Sequence, residues 1–243
     1  MDIWRILVPI LPILAIILLA SFIRATIGFG DALLATPILM SLLGVQEASA
    51  LAAMFGMSLS IILLLRNWRT VDFRLARNLI VGGALGVPLG LLLIKAVPAP
   101  TAKAFLGWFL IVFGCYSLFS PKLPYLRDGR WGYGFGFIGG VLGSAYGTGG
   151  PPLVVFGTLR RWPADEFRST LQSFFFVNNI FILTSHALAG FWTSHVLMLY
   201  AWSIPMVLIG TFIGLWASSF IPKHLFRQII CIVLIMLGIV SVL

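Results

Sequence analysis

Apolar stretches of bilayer length recur from one end of this chain to the other, and that recurrence decides most of what it can fold into. Only 9% of its 243 residues are charged, against 60% hydrophobic, and the mean hydropathy is +1.07. A soluble domain carries about 25% charged residues, so too few charges are present to coat a surface that faces water. The expected class is an all-α integral membrane protein, because a helix satisfies its own backbone groups where water is absent.

Apolar runs bounded by charges, Gly and Pro give ten segments, at 4–24, 31–43, 48–65, 74–96, 102–119, 131–146, 151–159, 167–187, 195–220 and 224–242. Most can cross about 30 Å of hydrocarbon. Segments 31–43 and 151–159 cannot, and each follows a Gly-rich break: Gly28-Phe29-Gly30-Asp31 and Gly147-Thr148-Gly149-Gly150. Further on, Gly86, Gly90, Pro98 and Gly114 match Gly210, Gly214, Pro222 and Gly238 in one ungapped register. The organisation expected is a first transmembrane repeat at 1–120, a cytoplasmic linker at 121–130 and a second repeat at 131–243, each repeat with about five helical segments. The opening stretch, Met1 to Ala20, has the hydrophobicity of a signal peptide. It runs through Pro9 and Pro12 into further membrane segments without a basic start and cleavage site, and it reads as a retained first helix.

The net charge of +9 raises nucleic acid as a partner, but the charges sit in short clusters between apolar segments, as in cytoplasmic loops. If the short segments cross fully, Arg24, Arg66, Arg69, Arg74, Arg77, Lys122, Arg127, Arg130, Arg160, Arg161, Arg168, Lys223 and Arg227 share one side. Only Arg5, Lys95 and Lys103 of the 16 basic residues then lie opposite. Re-entrant hairpins leave nearly the same bias, whereas short segments that alone fail to cross abolish it. Full crossing and hairpins both make the halves inverted. Inverted repeats with interrupted helices are a transporter plan whose site lies at the repeat interface.

A break in a membrane helix frees backbone N–H and C=O groups, tolerated only where protein buries them or they line a cavity. The short helix after it begins with free N–H groups and a partial positive charge that suit an anion. Pro151 and Pro152 fit its first turn. Glycine can instead serve only to let helices pack closely, yet duplication at matching places favours a site. The candidate substrate-binding residues are therefore Gly28 and Gly30 in the first break, and Tyr146, Gly147, Thr148, Gly149 and Gly150 around the second. Arg24, Thr26, Asn178 and Asn179 complete the set. Arg24 offers paired hydrogen bonds to an anion or an interfacial anchor. Asp31 is the candidate ion-coupling group, for a proton or sodium ion, or else a cap or partner for Arg24. In segment 167–187, Thr170, Gln172, Ser173, Thr184 and His186 add polarity, as Ser58 and Ser60 do in the first half. His186 reads as a capped or interfacial residue. Trp68, Trp131, Trp162 and Trp192 lie next to loops, as an interfacial belt does.

Cys115 and Cys231 sit in apolar runs without zinc or disulfide spacing, and no metal is expected. No Walker sequence, His-Glu-x-x-His or Gly-x-Ser-x-Gly occurs, so no cofactor and no enzyme activity are expected.

The motif Gly28-Phe29-Gly30-Asp31-Ala32-Leu33-Leu34 with Pro37, and Tyr146-Gly147-Thr148-Gly149-Gly150-Pro151, resemble those of the sulfite exporter TauE/SafE family, also called the toluene-sulfonate uptake permease group. The run Gly82-Gly83-Ala84-Leu85-Gly86-Val87-Pro88-Leu89-Gly90, followed by a Pro-containing loop and a last helix, extends the likeness over nearly the whole chain. Asp31 departs from the family's common all-Gly first motif. The resemblance implies a multi-pass bacterial inner-membrane protein that carries sulfite, a sulfonate or a related organosulfur anion, coupled to an ion gradient. Alternating access would move one half against the other. Its partners would be the small anion, the bilayer, a coupling proton or sodium ion and, as one open arrangement, a second copy in a homodimer; nucleic acid is not expected. The rivals are a carrier for another small solute, an intramembrane enzyme and a membrane scaffold.

Overall fold

The structure is a computed structural model that describes residues 3–66, 73–119, 124–220 and 223–242. The centre of the basic loop after the third segment, with Trp68, Arg69 and Asp72, lies outside the described residues. So do Lys122 in the linker and Pro222, together with the side chains of Arg5, Arg74, Lys223 and Arg227.

Each expected segment is one helix: α1 Ile3–Ile27, α2 Asp31–Leu43, α3 Val45–Arg66, α4 Phe73–Ala96, α5 Ala99–Phe119, α6 Trp131–Tyr146, α7 Gly150–Leu159, α8 Ala164–Leu188, α9 Ser194–Ala217 and α10 Lys223–Val242. α1 runs a turn beyond the expected end and carries Arg24 within it. Among the described residues six helices, α1, α3, α4, α5, α8 and α9, hold spans long and apolar enough to cross a membrane. The core is apolar, but so is the surface, unlike a soluble protein's. Arg24 is 3% exposed, whereas Phe212 is 75% exposed. Such a surface is stable only against lipid tails, so this is a multi-pass membrane protein.

Helix packing follows the glycines. On α4, a Cβ on Gly86 would collide with the Phe137 carbonyl of α6, and one on Gly90 with the Val141 carbonyl. On α9, Gly210 meets the Leu18 carbonyl of α1 in the same way, and Gly214 the Phe22 carbonyl. In the register that matches Gly28 to Gly147, Leu18 corresponds to Phe137 and Phe22 to Val141. The contacts of α4 with α6 are therefore repeated by α9 with α1, residue for residue. Small residues let backbones approach until dispersion supplies what the hydrophobic effect cannot between helices in lipid. The last helices repeat the pattern on each other. Gly114 of α5 faces the Cys231 carbonyl and Ile235, and Gly238 of α10 faces the Gly107 carbonyl and Ile111. These contacts run in opposite senses along the two chains, so α5 and α10 are antiparallel.

Ion pairs and ring contacts distinguish the two ends of the bundle. At one end Arg160 donates to the Leu126 and Arg127 carbonyls, and Asn78 donates to the Gly129 carbonyl at 3.0 Å. At the other end Glu47 pairs with His195 at 2.9 Å, and Lys95 lies over the Phe191 ring at 5.9 Å. Trp131 and Trp192 are exposed, while Trp162 packs edge-on against Phe156. His186 is not at an interface: it is fully buried, with Nε2 3.1 Å from the Ser144 carbonyl of α6. The sequence could not show that α6 passes close enough to supply that partner.

Candidate functional site

The first break begins where α1 closes on itself, as the Gly28 N–H donates to the Arg24 carbonyl at 2.7 Å. Gly28 and Gly30 then adopt φ of 104° and 100°, a region that costs a residue with a Cβ about 1–2 kcal/mol. This double left-handed step turns the chain so that α2 starts at Asp31. The second break reaches the same end by one such residue. Gly147 has φ 69° and donates to the Gly143 carbonyl at 2.9 Å, while Thr148 N–H reaches the Leu142 carbonyl at 3.2 Å. α7 starts at Gly150 with Pro151 and Pro152 in its first turn, where a missing N–H costs nothing.

Arg24 joins four helices. Its Nη1 donates to Asp31 Oδ2 of α2 at 3.0 Å, and its Nη2 donates to Ser60 Oγ of α3 at 2.6 Å and to Gln172 Oε1 of α8 at 3.2 Å. The guanidinium carbon lies 4.7 Å from the centre of the Phe175 ring. Gln172 in turn donates from Nε2 to the Gly28 carbonyl at 2.9 Å, satisfying a backbone group that the break set free. Arginine has five N–H donors. Three are committed here, and the Nε donor has no partner in the protein. A buried donor left unpaired is costly, so this hub has unspent capacity for an acceptor.

A cavity of about 30 Å³ lies against this hub and touches both breaks. Arg24, Gly30 and Asp31 form one wall, Gly147, Thr148 and Gly150 another, and Gly56, Phe175 and Asn179 close it. Thr148 is 1% exposed and its hydroxyl has no partner. By volume the cavity holds about two waters, so an SO3 group enters only if a side chain such as Phe175 or Asn179 gives way. A second cavity of about 100 Å³ lies on the other face of Arg24, bordered by Gly28, Leu63, Arg66, Arg168, Gln172 and Ser218.

The candidate residues divide accordingly. Arg24, Gly30, Asp31, Gly147, Thr148, Gly150 and Asn179 share the smaller cavity, and Gly28 lies on the larger one. Thr26 is not on either, because its hydroxyl donates to the Phe22 carbonyl of its own helix. Tyr146 stacks on Phe105 at 5.9 Å, and Gly149 packs against the Gly139 carbonyl of α6. Asn178 turns toward Gly83 of α4, while its neighbour Asn179 takes the cavity. Sequence reasoning did not place Gln172, Ser60, Gly56 or Phe175 at the site. A Gln in an apolar helix is a signal in itself, but its partners are far away in the chain. Among the described residues no group of three His, Cys, Asp or Glu is placed to hold a metal ion.

Residues 13–241 match the family model described as Sulfite exporter TauE/SafE. No curated protein and no solved structure matches the chain.

Proposed function

This chain belongs to the sulfite exporter TauE/SafE family of membrane transporters, and from that premise we propose that it carries sulfite, a sulfonate or a related organosulfur anion through the cavity beside Arg24. One observation carries the reading: a buried guanidinium with unspent donors faces a cavity that both Gly-rich breaks border. A sulfur oxyanion offers several acceptors to Arg24, to the Thr148 hydroxyl and to Asn179. Such charge-assisted bonds are roughly twice as strong as neutral ones.

The halves are inverted repeats, and transport proceeds by alternating access. Support comes from the antiparallel run of the matched helices α5 and α10. α3 and α8 cross near the cavity in the same antiparallel sense, with Gly56 near Asn179 at one level and Leu63 beside Arg168 at the next. In this conformation the larger cavity lies toward the basic end. The opposite end is closed by Tyr146 on Phe105 and by the Ser49 hydroxyl on the Ala145 carbonyl at 2.7 Å. The basic end is cytoplasmic by the positive-inside rule. Asp31, buried on the cavity wall beside Arg24, carries the coupling proton or sodium ion.

The test is uptake into proteoliposomes holding the full chain, with labelled sulfite and a short alkyl sulfonate against acetate and phosphate. Saturable sulfite or sulfonate movement that exceeds the others is expected. Protein shown to be folded that moves neither sulfur anion overturns the reading.

A further inference from the structure

The larger cavity has no ligand of its own in the reading so far. Its lining includes three arginines, Arg24, Arg66 and Arg168, and among the described residues no Asp or Glu. Arg24 and Gln172 belong to its wall, and Arg24 also borders the smaller cavity. The two spaces lie along α3, one at Gly56 and the other at Leu63 and Arg66, about 10 Å apart at 1.5 Å per residue.

Charge differs between them. In the smaller cavity an anion meets Arg24 but also the Asp31 carboxylate. Asp31 is not in the lining of the larger one, and Arg66 and Arg168 are added. α1, α3 and α9 end nearby, and each helix C-terminus brings about half a negative charge. Three guanidiniums outweigh them. One is already partly spent on this, since Arg168 Nη2 donates to the Thr26 carbonyl at 3.4 Å. That long, part-buried bond leaves most of the Arg168 fork free for another acceptor.

We propose that this cavity is a second anion site, a docking station for a sulfur oxyanion between the basic face and the inner cavity. Arg24 is common to both stations, so the anion exchanges Arg66 and Arg168 for Thr148 and Asn179 without leaving Arg24. The proposal rests on the transport reading above. It makes affinity different on the two faces of the membrane, because only an anion from the basic side docks here before entering the inner cavity.

The experiment measures sulfite transport separately from each face of oriented proteoliposomes, for wild type, Arg168→Gln and Arg168→Lys. Thermal unfolding of each variant in detergent is recorded alongside. Arg168→Gln is expected to raise the KM from the basic face about tenfold, as loss of a charge-assisted bond does. The KM from the other face stays within about twofold of wild type, the maximal rate from the basic face rises in step with its KM because thermodynamics fixes the ratio of Vmax/KM between the two directions, and Arg168→Lys recovers most of the affinity. An unchanged KM in Arg168→Gln, or one raised equally from both faces, overturns the second site and leaves the inner one standing. Lower unfolding temperature with unchanged KM makes Arg168 only the cap of α1. A folded wild type that moves no sulfite from either face removes both readings.

Discussion

Arg24 Nη1 donates to Asp31 Oδ2 at 3.0 Å across the first break, so the residue that attracts an anion is held by the residue that repels one. Both are buried. The pair keeps this buried spot close to neutral, and that makes the two single substitutions and the double one informative.

Arg24→Gln and Asp31→Asn each leave a buried charge unpaired, which costs about 3–5 kcal/mol. Both single variants are expected to unfold at lower temperature in detergent. The double variant is expected to recover the unfolding temperature and not to bind sulfite. A double variant that transports at the wild-type rate removes both residues from the mechanism.

Gln172→Ala and Gln172→Glu separate scaffolding from charge. Either change orphans the Gly28 carbonyl, at a cost of about 1–3 kcal/mol. The glutamate also adds a negative charge against Arg24. Sulfite affinity, read by ligand-dependent unfolding temperature, is therefore expected to fall further in Gln172→Glu than in Gln172→Ala. Equal affinities would place Gln172 outside the reach of the ligand.

Gly147→Ala meets two obstacles. Its φ is positive, and its Cβ would stand 3.0 Å from the Cβ of Ala52. Gly134 has a free position, with nothing within 4 Å of an added Cβ. Gly147→Ala is expected to lose transport and at least about 1–2 kcal/mol of stability. Gly134→Ala is expected to be neutral or slightly stabilising, since alanine favours a helix by up to ~1 kcal/mol over glycine. Normal transport by folded Gly147→Ala makes the second break a packing device.

Sidedness follows from the basic clusters. With Cys115 and Cys231 replaced by Ala, single cysteines at Arg127 and Arg161 are expected to react with an impermeant thiol reagent only from the cytoplasmic face, and one at Trp192 only from the other. Reaction of all three from one face would rule out the inverted arrangement.

The helices were readable because each is a long apolar run stopped by charge, Gly or Pro, and the two short ones were marked by their breaks. Arg24 and Asp31 were readable because charge inside such a run demands a reason. What hydrogen-bonds to Arg24 was not: Ser60 and Gln172 come from helices brought together only by packing. Nor could sequence choose between Asn178 and Asn179, since neighbours on a helix point in directions 100° apart, and only the position of α4 decides which one meets the cavity. Thr26 lines neither cavity, and its sequence position could not show this, because a threonine in a helix can return its proton to its own backbone.

The close backbone contacts do not respect the boundary between the repeats. α1 is welded to α9 and α4 to α6, each weld joining a helix of one half to a helix of the other. Pulling residues 1–120 away from 131–243 would break these two welds and the α5–α10 contact at once. Under the alternating-access proposal the moving parts are then not one half against the other but two mixed blocks, one containing α1 with α9 and the other α4 with α6. A cysteine crosslink from Gly210 to Leu18 would lock nothing that moves, whereas one between the blocks would stop the cycle.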